Sequence, residues 1–159
     1  MFGPRLHLSR PLLGHDRQVE LVERLRPCLL YFPELDGRII RVGITRQADG
    51  IAIFEPLTVR FDLRRRLPTN YTIGHELTHL LQALKRVPQG EVQCDIWTLA
   101  RSRLFTDEVP CYLQLPRRVY RNWRRYAACV RYLCARAISE RSRRRTYIRW
   151  LKAEMEQLP

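Results

Sequence analysis

The period of the hydrophobic positions changes along the chain, and each change marks an element. Between Asp16 and Leu25 the apolar residues Val19, Leu21, Val22 and Leu25 recur at helical spacing behind an acidic cap, predicting a short amphipathic helix that ends before Pro27. Residues 1–11 carry Pro4, Pro11 and little periodicity, so an irregular arm is expected there. From 28 to 63, β-branched and aromatic residues come in short runs between turn formers, and strands are predicted over 28–32, 38–44, 50–54 and 58–63. Partial alternation in the second and fourth of these suggests half-buried antiparallel strands. Helical spacing returns at Ile73, Leu77, Leu80, Leu81 and Leu84, behind Pro68 and a capping Thr69 or Asn70. Gly74 inside this helix costs about 1 kcal/mol unless another backbone passes close by. A second helix is expected after a turn near Arg86, with Pro88 in its first turn.

Residues 105–116, with Pro110 and Pro116, read as a loop. Beyond it Trp123, Ala127, Val130, Cys134 and Ala137 form one apolar stripe, and Tyr147, Leu151, Met155 and Leu158 a second after a break near Ser142. The fold class expected is therefore α+β: a small antiparallel sheet, two consecutive helices, and a helical C-terminal segment. A chain of 159 residues is one domain by the usual prior, divided here into a core at 1–116 and a helical extension at 117–159 packed on it.

Charge changes this picture in one place. The chain carries 29 Lys and Arg against 16 Asp and Glu, a formal +13. Between residues 117 and 152 thirteen of those cations face Glu140 alone, a local +12. Almost all are arginines, whose planar forks suit phosphates, so non-specific DNA or RNA is the expected partner. Another polyanion would be drawn by the same charge. The interleaved Trp123, Tyr126, Tyr132, Tyr147 and Trp150 offer rings for base stacking if they are not core. No run of 18 apolar residues exists and residues 1–13 lack a signal-type apolar stretch, so a cytoplasmic protein without a transmembrane segment is expected. Oligomeric state leaves no sequence signature here. Five cysteines, odd in number and without a C-x-x-C pair, suit reduced and mostly buried thiols.

The chemistry concentrates in His75-Glu76-Leu77-Thr78-His79. On a helix the two histidines share a face, close enough to grip one Zn2+, and Glu76 lies beside the open position as a general base. The run from Thr72 to Leu81 resembles the extended active-site helix of the zincin metallopeptidases. That resemblance implies zinc, a protein or peptide substrate, peptide-bond hydrolysis, His75 and His79 as ligands and Glu76 as catalytic base.

A metzincin would continue with Gly at 82 and His at 85, where this chain has Gln82 and Lys85. Downstream, Glu91 and Asp95 sit on one face of the next helix. This E-x-x-x-D resembles the gluzincin arrangement, in which the Glu completes the metal site and the Asp orients a ligand histidine. Read from spacing alone, Glu91 as ligand with Asp95 as orienter and the reverse assignment both stand. Cys94 lies between the two acids but is expected off their shared face. Tyr112, in the loop, is a candidate oxyanion hydrogen-bond donor, with packing as its other role. An edge strand, expected to be the run before Pro56, can bind an extended peptide by strand addition.

Two family likenesses are weaker. SprT-like proteases share the H-E-x-x-H, the size and the basic character, but their further histidine ligand has no counterpart downstream here. ImmA/IrrE-type peptidases, with a later acidic ligand, are nearer in chemistry. The leading expectation is a small zinc metallopeptidase whose basic segment contacts nucleic acid or another polyanion. The alternative is a non-catalytic nucleic-acid-binding protein retaining a structural zincin core.

Overall fold

The computed structural model describes residues 3–159. Strand β1 (Arg5–Leu8) is followed by two helices, α1 (Arg10–Leu13) and α2 (Gln18–Leu29). Then come β2 (Ile39–Ile44), β3 (Gly50–Phe54) and β4 (Leu57–Phe61). The site helices are α3 (Asn70–Ala83) and α4 (Glu91–Arg101), and the chain closes with α5 (Arg117–Arg121), α6 (Trp123–Glu140) and α7 (Tyr147–Glu156). The α+β class stands, but the sheet is mixed, not antiparallel. Its order is β1-β2-β4-β3, with β1 and β4 both parallel to β2 and only β3 antiparallel to β4.

Two segments near the N-terminus differ from the expected elements. Residues 5–8 are a strand because Leu6 and Leu8 alternate with exposed Arg5 and His7, a pattern too short to stand out until Arg5 pairs with Ile39. Residues 28 and 29 extend α2 instead of starting a strand. Cys28 and Leu29 fall on the face of Leu21 and Leu25, and all four are buried. Burial of that stripe outweighs the hydrogen bond lost at Pro27 inside the helix, a cost of about 3 kcal/mol.

Two apolar clusters flank α3. One joins the sheet and α2 to Ile73, Leu77, Leu80 and Leu81. The other joins Tyr71 and α4 to α6 and α7, where the stripes from Trp123 to Ala137 and from Tyr147 to Met155 are buried as their spacing predicts. Gly74 lies where α3 meets its neighbours: a Cβ there would stand 2.6 Å from Phe105 Cδ1 and 2.9 Å from Thr98 Cγ2. Side chains, not a passing backbone, explain the glycine.

The turn after α3 places α4. Arg86 N donates to Leu81 O and Lys85 N to Gln82 O, the paired bonds of a Schellman motif, with Lys85 at φ 56° where glycine is usual. Helix α4 starts only at Glu91, so Pro88 precedes it instead of occupying its first turn. Among the described residues no helix is long and apolar enough to cross a membrane.

Candidate metal centre

Thr69 caps α3 as its side-chain oxygen accepts from Thr72 N. The first amides of the helix, on Asn70 and Tyr71, donate to the carboxylate of Asp107, which reaches back from the loop after α4. This anchoring of 107–113 over α3 is why Tyr112 meets the site. Its ring stacks on that of His75, with centroids 5.6 Å apart and planes 22° from parallel.

His75 and His79 are brought one turn apart on α3, and each ring is held by a different partner. His75 Nδ1 lies 2.9 Å from Asp95 Oδ1, and His79 Nδ1 lies 2.7 Å from Gln82 Oε1. Both partners are acceptors, so both Nδ1 atoms carry the proton and both Nε2 atoms present lone pairs. Those two Nε2 atoms are 3.2 Å apart, and Glu91 Oε2 lies 3.1 Å from one and 3.2 Å from the other. Three acceptor atoms thus face one point, an arrangement that requires a cation, whether a proton on an imidazole or a metal. For His75 burial favours the neutral ring, but its hydrogen bond to Asp95, the charges of Asp95 and Glu76 and the hydrogen bond to Glu91 outweigh it and raise the pKa.

His75, His79 and Cys94 also form a cluster with donor atoms within 4.8 Å of one another, compact enough to hold a metal ion. Cys94 is therefore nearer the centre than its position between the two acids suggested. Its Sγ donates to the carbonyl of His75 at 3.1 Å, and burial, followed by the nearby charge of Asp95, pushes its pKa far up.

Asp95 is fully buried and fully engaged. Its Oδ1 accepts from His75 Nδ1 and, at 2.5 Å, from Tyr71 OH, while its Oδ2 accepts from the amides of Tyr112 and Leu113, each at 2.7 Å. Tyr71 OH in turn accepts from Cys111 N. Gln82 is equally committed, its Nε2 donating to Pro88 O and Gly90 O and so tying the turn to the end of α3.

Glu76 differs from both. It is 7% exposed and has no hydrogen-bond partner among the described residues. Burial, opposed by His75 and reinforced by Glu91, pushes its pKa up to about 7. Gly50, the first residue of β3, makes room for it: a Cβ there would lie 2.8 Å from Glu76 Oε1. β3 is one of the two edge strands, as expected of the run before Pro56, and it is the edge that runs beside α3.

Tyr71, Gln82 and Gly50 were not singled out by the sequence. Gln82 alone left a local trace, as an amide three positions after a histidine on a helix. Tyr71 and Gly50 meet the site only through tertiary contacts.

On the C-terminal helices Trp123, Tyr126 and Tyr147 are core, and Trp150 lies beneath Arg136. Tyr132, 59% exposed, is the one exposed ring of the five, and Arg136 lies over it as well, 6.0 Å from its centroid. No family model matches the chain, and no curated protein or solved structure matches it.

Proposed function

We propose that the chain is a zinc-dependent peptidase in which His75, His79 and Glu91 hold the metal. The observation that carries this is the triangle of His75 Nε2, His79 Nε2 and Glu91 Oε2, with sides of 3.1 to 3.2 Å. A tetrahedral ion with ligands at roughly 2.0–2.1 Å has edges of about 3.3 Å, so the three atoms already stand at ligand spacing. Glu91 is preferred to Cys94 because a zinc ligand must be a thiolate, and the Cys94 thiol donates to His75 O. Asp95 and Gln82 act as positioning residues, each holding one imidazole with Nε2 toward the centre.

A bound zinc ion acidifies water and polarises a carbonyl. Glu76 lies beside that point, buried and without a hydrogen-bond partner among the described residues, placed to take a proton from water and pass it to a leaving amine. Tyr112, stacked on His75 and half exposed, has its hydroxyl free to donate to a developing oxyanion. The open edge of β3 supplies main-chain groups for an extended peptide.

The arginine-rich segment from 117 to 159 is assigned to polyanion contact, most simply the phosphate backbone of nucleic acid. Among the described residues its Arg124, Arg143, Arg145 and Arg149 make no ion pair.

The test is metal content together with Glu76→Gln. Purified protein is expected to hold one zinc per chain, and the substitution to keep the metal while lowering peptide hydrolysis by roughly 100-fold or more. Absence of zinc binding, or a Glu76→Gln chain as active as the parent, overturns the reading.

A further inference from the structure

The charge of the cleft is opposite to that of the molecule. Two lobes open on either side of Glu76, with volumes of about 240 Å³ and 260 Å³. The first is walled by Asp49, Thr72, Glu108, Cys111 and Tyr112, the second by Ile51, Phe54, His79 and Glu91. In a chain with 29 Lys and Arg, not one of them lines either lobe among the described residues. Four acids do: Asp49, Glu76, Glu91 and Glu108, with Asp95 directly behind His75.

Neutralisation from within is incomplete. Glu108 pairs with Arg66 at 2.8 Å and accepts from Thr69 and Thr72, so its charge is largely matched. A divalent ion held by His75, His79 and Glu91 would offset two more charges. What remains is negative, and Asp49, whose carboxylate makes no ion pair among the described residues, presents it at the mouth of the first lobe. Asp49 also immediately precedes Gly50, where the β3 edge begins. A peptide lying along that edge passes the lobe while its scissile bond is near Glu76. The distant arginines of the C-terminal helices do not cancel this field, because at physiological salt charges beyond about 8 Å are largely screened, while a low-dielectric cleft focuses its own.

Resting on the peptidase reading above, we infer that the substrate is a basic peptide segment: a lysine or arginine side chain enters the lobe between Asp49 and Glu108, and Asp49 determines the specificity. The overall charge of +13 works against this preference, so its appearance cannot be a bulk effect.

The experiment uses the full zinc-loaded chain and peptides of one core sequence carrying Lys, Gln or Glu at successive positions around the cleaved bond. At one position Lys is expected to exceed Gln by about fivefold in kcat/KM, mainly through KM, with the gap narrowing at high salt. Asp49→Asn should shrink the ratio toward one, and Asp49→Arg should favour the Glu peptide. Equal rates for the three peptides, or a lysine preference that survives Asp49→Arg, overturn the inference and leave the peptidase reading intact. Absence of any hydrolysis overturns the peptidase reading instead. The inference is then decided by binding of the same peptides, labelled with a fluorophore, to the zinc-loaded Glu76→Gln chain. Tighter binding of the lysine peptide supports it, and equal or weaker binding overturns it.

Discussion

Asp95 Oδ1 lies 2.9 Å from His75 Nδ1, while the other oxygen of the same carboxylate holds the amides of Tyr112 and Leu113. One buried group therefore fixes both an imidazole and the loop that covers it. Asp95→Asn keeps the volume but replaces an acceptor oxygen with a donor, which must face either the imidazole N–H and phenol or the two amides. Zinc affinity, read by chelator competition, is expected to fall by roughly 10–100-fold. Unchanged affinity would show that Asp95 does not orient the ring.

Gln82 performs the corresponding task for His79, and it also ties α3 to the turn before α4 through Pro88 O and Gly90 O. Gln82→Ala leaves those two carbonyls to find other donors, and urea denaturation should show a loss of about 1–3 kcal/mol. Zinc affinity should fall with it. A stability loss without any change in affinity would reduce Gln82 to a turn residue.

Space around two glycines separates folding from chemistry. Gly74→Ala drives a Cβ against Phe105 and Thr98, and overpacking of about 1–3 kcal/mol should exceed the gain in helix propensity of about 1 kcal/mol. The three atoms nearest a Cβ at Gly50 all belong to the Glu76 side chain, so in Gly50→Ala the thermal midpoint should barely move while hydrolysis drops. An active Gly50→Ala chain would argue that Glu76 need not lie where it does.

Lys85 sits at φ 56° in the Schellman turn. Glycine takes that conformation freely, so Lys85→Gly should stabilise the chain by about 0.5–1 kcal/mol in urea unfolding. A neutral or destabilising result would point to a role for the lysine side chain.

Acid should loosen the contact between the loop and α3. For Glu108, burial raises the pKa, but the hydrogen bonds from Thr69 and Arg66 prevail and hold it below the ordinary value of 4.5. A carboxyl depressed on folding adds stability that is complete above the unfolded value and is lost as pH falls through the folded one. Stability is thus expected to decline below about pH 4.5, and Glu108→Gln should flatten that part of the profile. An unchanged slope would assign acid sensitivity elsewhere.

Legibility from sequence followed distance along the chain. Helix α3 and its cap are local matters of spacing, and so is the shared face of Glu91 and Asp95 on α4. Strand β1 leaves no legible signal, because a four-residue alternation means nothing until β2 pairs with it. Pro27 signals a helix end before it, but the buried positions of Cys28 and Leu29 carry α2 through to Leu29. Tyr71, Asp107 and Gly50 joined the site through contacts of 24, 36 to 37 and 26 residues' separation, where no periodicity reaches.

The converging atoms of His75, His79 and Glu91 all come from one helical hairpin, whereas Gly50 and Tyr112 arrive from opposite directions in the chain. Closing so short a segment demands little order from the rest, because loop-closure entropy grows with the length enclosed. On the zinc-peptidase reading, an ion bound there would need only this hairpin to be formed, ahead of the sheet edge and the covering loop. Loading and turnover would then be separate events, and a chain would carry its metal before it could cut.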